Sequence, residues 1–397
     1  MPVSILHGIW VTIQVLIGYN LVLPLVLYVL YLLFAKKGNQ PAIQKKNEAD
    51  FAIIVTAYEQ TFTVPAVIDS ILKMNYSNYL VYIVADKCDI STLKFADERI
   101  IVLRPEETLG SNTRSHFYAI NRFKRAHERL TIIDSDNLVE REYLNEINKL
   151  FEKCFIAVQG LRSAKNLDTM VACLDAARDM YYHFFDGEAL FALGSSATLA
   201  GSGMAFTTTL YKDCLEQLDI TGAGFDKVLQ YEIVKRGTRI AFTSKAIVYD
   251  EKTSGSEQLV KQRARWINTW FRYFKFGFHL LGKGITRFNW NQFLFGVILL
   301  RPPLFIFLLL SVVFAAANVF ISLTAVLIWI GAFAAFVISF MLGVAHSKPD
   351  KAIYRSLYGI PKFMFWQVLA LLKIRKANQI SVATTHVHGK NIEDLKK

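Results

Sequence analysis

The sequence predicts an α/β domain of the Rossmann type that is inserted between apolar membrane helices. No Asp, Glu, Lys or Arg occurs in residues 1–35 or in residues 302–347, and about 20 apolar residues are enough to cross a bilayer. Between these stretches, short apolar runs alternate with helical patterns, which is typical of a mostly parallel sheet covered by helices. We therefore expect an integral membrane protein with one globular domain.

The two charge-free stretches predict three membrane-spanning helices. The first, residues 1–35, has no basic segment before its apolar part and is longer than the apolar part of a signal peptide, so we expect an uncleaved anchor. A basic linker follows at residues 36–50. The second stretch is long enough for two helices within residues 302–346, at about 303–322 and 324–345.

The net charge of +12 is concentrated beside the apolar stretches. Residues 258–301 contain eight Lys or Arg and no acidic residue, and residues 345–397 contain ten Lys or Arg and three acidic residues, which leaves residues 36–257 with a net charge of −3. Basic residues beside membrane helices mark the cytoplasmic side and attract anionic lipids. We therefore expect a plasma-membrane protein with residues 36–301 and the C-terminus in the cytoplasm and the N-terminus outside. A nucleic-acid partner is not expected, because the folded domain carries no basic excess.

Two segments have the composition of helices that lie in the membrane interface. Residues 258–301 are rich in aromatic and basic side chains, which is typical of such interface helices. Within residues 347–397, the apolar segment 360–376 is short for a span and is flanked by charge. This pattern favours an amphipathic helix followed by a cytoplasmic tail, with a further span as the alternative.

The region between the anchor and the interface helices, residues 51–257, has the size of one domain. Short apolar runs predict strands at residues 51–56, 79–84, 99–103 and 130–133. Helical patterns predict helices at residues 64–74 and 115–126. Folds of this kind bind ligands at the carboxyl ends of their strands. Polar residues that follow these runs are therefore the first candidates for a functional site.

Acidic residues close two of the predicted strands. Asp134 and Asp136 are two residues apart, so they can share a divalent cation whose coordination a nucleotide diphosphate would complete; the alternative is a pair of turn-forming aspartates. Asp86 ends another apolar run. Its carboxylate can accept hydrogen bonds from a base or a ribose, and the alternative is a turn residue or a helix cap.

Two loops add weaker candidates. Tyr58 and Glu59 follow the first strand and could place an aromatic ring beside a nucleobase, or they form an ordinary loop. The segment Gly201-Ser202-Gly203 allows a backbone to approach a ligand closely, although two glycines in a loop are weak evidence by themselves.

The last two candidates lie near the end of the domain. Asp226 precedes a predicted helix at 227–235, where it could cap the helix or act as a general base, and the two roles are compatible. Residues 262–266 give the strongest signal, with Gln262, Arg263, Arg265 and Trp266 in five positions. Guanidinium groups bind phosphate oxygens and an indole face stacks on a sugar ring. The alternative is a basic amphipathic helix at the membrane.

Taken in order, these residues resemble the membrane-embedded glycosyltransferases of family 2, which include cellulose, hyaluronan, chitooligosaccharide and poly-N-acetylglucosamine synthases. The family signature is an Asp, a DxD pair, a late Asp and a Q(Q/R)xRW element. It matches Asp86, Asp134-Ser-Asp136, Asp226 and Gln262-Arg-Ala-Arg-Trp266. The resemblance covers residues 50–270, together with one predicted span before that region and two or more after it.

The resemblance implies a GT-A-like catalytic domain that binds a UDP-sugar and Mg²⁺ or Mn²⁺ and transfers the sugar with inversion at the anomeric carbon. It also implies a role for each matching residue. These are nucleotide contacts at Tyr58, Glu59, Asp86 and Asp134, a metal ligand at Asp136, a donor-sugar loop at Gly201, Ser202 and Gly203, a general base at Asp226, and diphosphate or acceptor contacts at Gln262, Arg263, Arg265 and Trp266.

Three segments depart from the family pattern. The late motif reads Gly-Phe-Asp226 instead of Thr-Glu-Asp, so only the Asp matches. Many relatives have a Lys-Gly pair where this chain has residues 110–114, which end in Arg114. Residues 381–386 resemble faintly the loop that closes over the nucleotide in some synthases, and the alternative is a disordered tail.

The leading expectation is an enzyme that extends a polysaccharide or oligosaccharide with β-linkages and couples synthesis to export, because the Q(Q/R)xRW element accompanies the processive members. One alternative is a non-processive enzyme that glycosylates a lipid. An alternative of another class is an inactive partner subunit of a polysaccharide secretion complex. The expected partners are accordingly a UDP-sugar, a glycan or lipid acceptor and the bilayer, together with a second copy of the chain or an export protein.

Overall fold

The computed structural model describes residues 2–35, 48–377, 389 and 391–395. Most of the basic linker, residues 36–47, and the segment 381–386 that resembles a nucleotide-closing loop lie outside the described residues.

One sheet forms the centre of the described chain. Its eight strands are β1 Phe51–Tyr58, β2 Tyr79–Asp86, β3 Ile100–Leu103, β4 Arg129–Asp134, β5 Leu138–Val139, β6 Ala157–Ala164, β7 Met204–Thr207 and β8 Ala241–Asp250. Their order in the sheet is β3-β2-β1-β4-β7-β6-β8-β5. The half that contains β1 to β4 is parallel, as predicted, but β7 runs antiparallel to β4 and β6, and β5 runs antiparallel to β8. The sheet is therefore mixed.

Helices cover the sheet and extend to both ends of the described chain. They are α1 Pro2–Phe34, α2 Val64–Leu72, α3 Asn112–Ile120, α4 Tyr143–Glu152, α5 Met170–Tyr182, α6 Leu190–Ala192, α7 Thr208–Leu215, α8 Phe225–Lys235, α9 Ser256–Tyr273, α10 Lys275–Thr286, α11 Trp290–Leu300, α12 Leu304–Asn318, α13 Leu323–His346, α14 Lys351–Ser356 and α15 Ile360–Leu372. A π-helix at His183–Ala189 joins α5 to α6, and short 3₁₀ turns lie at Leu357–Gly359, Ile374–Lys376 and Ile392–Leu395.

The sheet is buried on both faces, which explains why its central strands are almost wholly apolar. In β1, the side chains of Phe51, Ile53 and Val55 join the core on the face covered by α2 and α4. The alternate side chains, Ala52 and Ile54, join the core on the face covered by α3, α7 and α8. Because successive residues of a strand point to opposite faces, a strand inside such a sandwich shows a continuous apolar run and no alternation.

The register of the parallel strands brings three candidate residues to one edge. Tyr58, the last residue of β1, pairs with Asp86, the last residue of β2. On the other side of β1, Thr56 pairs with Asp134, the last residue of β4. The carboxyl ends of these three strands therefore meet at the same edge of the sheet.

The apolar helices α1, α12 and α13 pack against one another and against the π-helix of the domain. A polar contact ties the three together, because the Gln14 side-chain oxygen accepts hydrogen bonds from Asn318 Nδ2 at 2.5 Å and from Trp329 Nε1 at 2.9 Å. Phe184 and Phe185 of the π-helix contribute to the same apolar cluster. The three apolar helices thus pack directly on the globular domain.

Among the described residues, α1 and α13 are each long and apolar enough to cross a membrane. Helix α12 has 15 residues, fewer than the predicted span at 303–322, because Pro302 and Pro303 delay its start and the helix ends at Asn318. It is long and apolar enough for a span only together with α11, from which it is bent by 69°. Helix α15 has 13 residues, which is too short for a hydrocarbon core of about 30 Å.

The segment predicted to form interface helices, residues 258–301, consists of α9, α10 and α11, and α10 forms a tight hairpin with α11. Glycines permit the close approach: a Cβ at Gly284 would lie 2.4 Å from the backbone nitrogen of Phe293, and a Cβ at Gly296 would lie 2.6 Å from the backbone nitrogen of Leu281. Helix α9 packs on α12 and α15 through Val260, Ala264 and other apolar residues. It thereby spans the distance between the α/β domain and the apolar helices.

Candidate active site

A cavity of about 650 Å³ opens at the carboxyl ends of β1, β2 and β4. Ten of the thirteen residues that the sequence predicts for the site line this one cavity. They are Tyr58, Asp86, Asp134, Asp136, Gly201, Asp226, Gln262, Arg263, Arg265 and Trp266. The remaining three, Glu59, Ser202 and Gly203, do not line it.

Asp86 is buried at the end of β2, with 2% of its surface exposed. Its two carboxylate oxygens accept hydrogen bonds from the backbone N–H groups of Leu109 at 2.9 Å and Gly110 at 2.8 Å. The carboxylate therefore fixes the loop before α3, and it is not a helix cap. Since an ionised carboxylate has about four acceptor positions, it retains acceptor capacity toward the cavity that it lines.

Glu59 is not placed with the other predicted nucleotide contacts. Its backbone turns into the left-handed region at φ 61°. Its carboxylate forms an ion pair with Lys87 Nζ at 2.7 Å. The chain thus leaves β1 in a direction that keeps Tyr58 on the cavity and takes Glu59 away from it.

The DxD pair lies where β4 ends and the turn before β5 begins. Asp136 is 9% exposed, and both carboxylates line the cavity. Once its amide is oriented to suit its neighbours, the Asn137 side chain donates to Asp136 Oδ1 at 3.0 Å and accepts from Ser202 Oγ at 2.8 Å. Neighbouring side chains therefore fix both the turn and the direction of the Asp136 carboxylate.

The two aspartates fit a hard divalent cation, because such ions prefer carboxylate oxygens. Among the described residues, no three His, Cys, Asp or Glu side chains gather closely enough to hold a metal ion alone. A cation bound by Asp134 and Asp136 would hence take its other ligands from water and from a bound diphosphate.

The three residues of the loop Gly201-Ser202-Gly203 have different roles. Gly201 lines the cavity with φ 89°. Ser202 is fully buried, and its Oγ accepts a hydrogen bond from the backbone N–H of Asp134 at 3.0 Å. Gly203 has φ 66°, and a Cβ there would lie 2.8 Å from Val248 Cγ2. Ser202 and Gly203 thus support the DxD turn and the sheet, and only Gly201 is positioned to meet a ligand.

Asp226 is not the cap of α8, so this alternative is wrong. The N-cap is Gly224, which has φ 106°. A Cβ there would lie 2.6 Å from Thr269 Cγ2 on α9, so the turn also requires glycine for space. Asp226 lies in the first helical turn, lines the cavity and forms an ion pair with Lys227 Nζ at 3.0 Å. Its carboxylate is therefore available to a ligand and is not used to end the helix.

Helix α9 presents the Q(Q/R)xRW residues to the cavity in two ways. Gln262, Arg265 and Trp266 are partly exposed along the wall of the cavity. Arg263 is 2% exposed and forms a buried ion pair with Asp175 of α5. Burial lowers the pKa of Arg263 to about 10. Arg263 thus acts at least partly as a structural anchor, which the sequence did not predict.

Two cations lie against the Trp266 ring. The guanidinium carbons of Arg263 and Arg178 lie 4.2 Å and 4.6 Å from its centroid. Asp175 binds Arg263, and its carboxylate lies 3.5 Å from Arg178 Nε. A single buried carboxylate therefore organises both cations on the indole, which fixes the plane that the indole presents to the cavity.

A wider network of buried charges continues from this point, and its members Arg162, Asp179 and Asp250 line the cavity. Lys252 contacts Asp179 and lies 2.9 Å from Asp250, and Asp250 contacts Arg162. Burial by itself would raise the pKa of Asp179, but Lys252 and Arg178 hold it well below its ordinary value. This network was not predicted from the sequence. Its one sequence signal is the spacing of Asp175, Arg178 and Asp179 by three and four residues, which places them on one helix face.

Comparison with known proteins identifies the class of enzyme. A family model described as "Glycosyltransferase like family 2" matches residues 49–269, more than half of the chain. The chain belongs to this family, and it is a glycosyltransferase, as the sequence analysis expected. No curated protein sequence matches the chain significantly.

The chain is also similar to solved structures. The mannosyltransferase PcManGT from Pyrobaculum calidifontis, determined in complex with GDP-Man and Mn²⁺, is 16% identical and superposes with a TM-score of 0.57 over 93% of this chain and 99% of its own. TarS residues 1–349 from S. aureus are 16% identical, with a TM-score of 0.42 over 83% of this chain and 92% of that one. The match to PcManGT confirms the predicted GT-A-like α/β fold.

The contact between Arg263 and Asp175 leads to a stability prediction. Replacing Asp175→Asn leaves a buried guanidinium without its counter-charge, which typically costs about 3–5 kcal/mol. We expect a clear drop in the midpoint of thermal unfolding of the protein purified in one detergent. Glu257→Gln is the matched control, because Glu257 pairs with Lys261 at 2.9 Å on the surface of α9 and is 83% exposed; it should leave the midpoint unchanged. Equal midpoints for the two variants would contradict the anchoring role of Asp175.

Proposed function

We propose that this glycosyltransferase moves a sugar from a UDP-sugar to an acceptor hydroxyl with inversion, so that an α-linked donor gives a β-linkage. The observation that carries the proposal is that one cavity is lined by the DxD carboxylates, by Asp226 and by the Arg265 and Trp266 side chains of α9. These are the groups that the reaction requires, and they come from three segments that together span more than 130 residues of the sequence.

The nucleotide end of the cavity lies at β1 and β2. Tyr58 offers a ring against which a base can stack, and Asp86 offers carboxylate oxygens to a base or a ribose. Both positions match uridine contacts of the family that the sequence resembles, which supports UDP as the nucleotide. The diphosphate would then lie between Asp134 and Asp136 on one side and Arg265 on the other.

The reaction is a direct displacement. The acceptor oxygen forms a bond to the anomeric carbon while the bond from that carbon to the diphosphate oxygen breaks, and UDP leaves with the electron pair. Asp226 accepts the proton of the attacking hydroxyl, and Arg265 stabilises the charge that develops on the diphosphate. Inversion requires one base on the side opposite the leaving group and no second catalytic carboxylate.

A divalent cation would be held by Asp136, with Asp134 beside it, and it would supply charge compensation to the departing diphosphate. The acidic pair needs such a partner, because a diphosphate and two carboxylates would otherwise repel one another. Mg²⁺ and Mn²⁺ both suit oxygen ligands of this kind.

The membrane-embedded subgroup of family 2 remains the best account of the whole chain. The Q(Q/R)xRW residues lie on a helix that packs on α12 and α15, next to apolar helices, and this supports the proposal. We further propose that the product is a growing glycan. An inactive partner subunit would not be expected to keep every acidic residue of the signature on a single cavity.

The function is tested by the release of UDP from purified protein in lipid nanodiscs. UDP-glucose, UDP-galactose, UDP-glucuronate and UDP-N-acetylglucosamine are supplied in turn, and the products are separated by length. We expect UDP release with one class of donor and a glycosylated product. Release from none of the donors would contradict the proposal.

Asp226→Asn is expected to lower kcat by about 10²–10⁴-fold, because a positioned base contributes that much to proton transfer. The affinity for UDP should change little, since the interaction with the proton is made mainly in the transition state. Glu232→Gln is the control: it makes the same change on the same helix, and Glu232 pairs with Lys235 and Arg236 away from the cavity. If Asp226→Asn kept more than about a tenth of kcat, the base would be another group.

Asp136→Asn is expected to weaken binding of UDP in the presence of Mn²⁺, measured by titration calorimetry. The difference between this variant and the parent protein should vanish in EDTA, because both then bind UDP without the cation. EDTA should also abolish turnover. Asp219→Asn is a suitable control, since Asp219 is exposed and pairs with Arg114. An effect of Asp136→Asn that persists unchanged in EDTA would remove the cation from the role proposed for this residue.

We also propose that the catalytic domain faces the cytoplasm, and the basic charge beside the apolar helices supports this. The native Cys154 is exposed and the other three cysteines are buried, so it reports on the domain. A membrane-impermeant thiol reagent should label Cys154 in lysed cells and miss it in intact cells. A Phe320→Cys substitution, made in a Cys154→Ser background, should be labelled in intact cells, because Phe320 is 91% exposed in the turn between α12 and α13. Labelling of Cys154 in intact cells would reverse the topology.

A further inference from the structure

The cavity has a second end, which differs in chemistry from the nucleotide end. At the helices α11 and α12 its wall includes the apolar residues Ile298, Leu299, Pro302, Pro303 and Leu304. They surround the break between the two helices, where Arg301 also lines the cavity. The cavity therefore runs from a carboxylate-rich end at the sheet to an apolar end at the helices that resemble membrane spans.

The chain bends sharply at this end of the cavity. Pro302 and Pro303 lack a backbone N–H and cannot continue α11, so the chain turns and the two helix axes differ by 69°. The two helices meet the length and hydropathy of a membrane span only as a pair. Further along α12, apolar side chains including Val312 and Val313 are exposed. Helix α12 therefore lines the cavity at Leu304 and presents an apolar surface suited to hydrocarbon further along the same helix.

Polar atoms without partners lie between the two ends. Arg301 contacts Asp186, and the side chains of this pair are 4% and 9% exposed. Both residues and Trp270 line the cavity. Among the described residues, Arg301 Nη1, Asp186 Oδ1 and Trp270 Nε1 are buried and make no hydrogen bond. Buried polar atoms are almost always paired in folded proteins, with protein or with ordered water, so two donors and one acceptor at this place suit the hydroxyl groups of a ligand.

We infer that the acceptor is an amphipathic lipid, with a hydroxyl-bearing head group near Asp226, Arg301 and Trp270 and a hydrocarbon tail that leaves through the break between α11 and α12. The inference rests on the proposed sugar transfer and names the class of its acceptor. A soluble glycan would meet the same hydroxyl-binding atoms but would leave the apolar wall from Ile298 to Leu304 without a partner. A glycan that grows on such a lipid remains compatible with the proposed product.

The test compares acceptors that share one head group and differ in the tail. The methyl, octyl and dodecyl glycosides of one sugar are supplied, with an active UDP-sugar donor, to the full-length protein in nanodiscs. Each methylene that becomes buried favours binding by about fourfold. We expect kcat/KM to rise by at least about tenfold from the methyl to the dodecyl glycoside, which requires burial of only about two methylenes.

Long tails also partition into the nanodisc bilayer. Matched variants therefore separate this partitioning from binding of the tail at the apolar end of the cavity. Leu304→Ala removes part of the apolar wall, and Leu309→Ala makes the same change at a partly exposed position of the same helix. The ratio of kcat/KM for dodecyl over methyl glycoside should fall several-fold in Leu304→Ala and stay at the parent value in Leu309→Ala. An equal ratio in both variants would show that partitioning alone explains the preference and would overturn the inference.

The remaining outcomes are also decisive. Equal kcat/KM for the methyl and dodecyl glycosides would identify a soluble acceptor and refute the inference, while the proposed sugar transfer would stand. Slow release of UDP to water, measured without any acceptor, reports on the donor half of the reaction independently. If no UDP were released to water or to any glycoside, the proposed function itself would fail.

Discussion

Helix α9 carries Arg263, Arg265 and Trp266, which line the cavity, and the buried contact between Arg263 and Asp175 anchors it to the α/β domain. Taking both charges out of water is costly, and the contact compensates this cost only while both partners are present. The same carboxylate lies beside Arg178, so it fixes two cations on the Trp266 ring. The position of α9 against the DxD turn and Asp226, and hence the shape of the cavity, depends on this arrangement.

One continuous helical segment connects these charged residues to the apolar helices α1, α12 and α13. Helix α5 carries Asp175, Arg178 and Asp179, and the π-helix that follows it carries Phe184 and Phe185. Arg178 and Asp179 line the cavity, and the two phenylalanines pack with α1, α12 and α13. The cavity therefore borders both the sheet and the apolar helices, and its wall changes from carboxylates at one end to proline, leucine and isoleucine at the other.

The sequence predicts the half of the fold in which short-range patterns decide the structure. Strands β1 to β4 begin and end within two residues of the apolar runs, because a strand buried on both faces must be apolar throughout. The acidic residues that close β2 and β4 could thus be assigned to one edge. The antiparallel strand β7 could not be predicted, because its pairing with β4 and β6 depends on contacts over more than 40 residues. The anchoring of Arg263 and the Gly224 cap were missed for the same reason: Asp175 and Thr269, which determine them, are far away in the sequence.

The central claim is that a nucleotide binds at the edge where β1, β2 and β4 end, with its diphosphate directed toward α9. A cryo-EM structure of the purified protein in nanodiscs with UDP and Mn²⁺ tests this most directly. The account predicts density for the uracil and ribose beside Tyr58 and Asp86, and density for the diphosphate between the Asp134–Asp136 turn and Arg265. Nucleotide density at any other place on the chain, with this cavity empty, would contradict it.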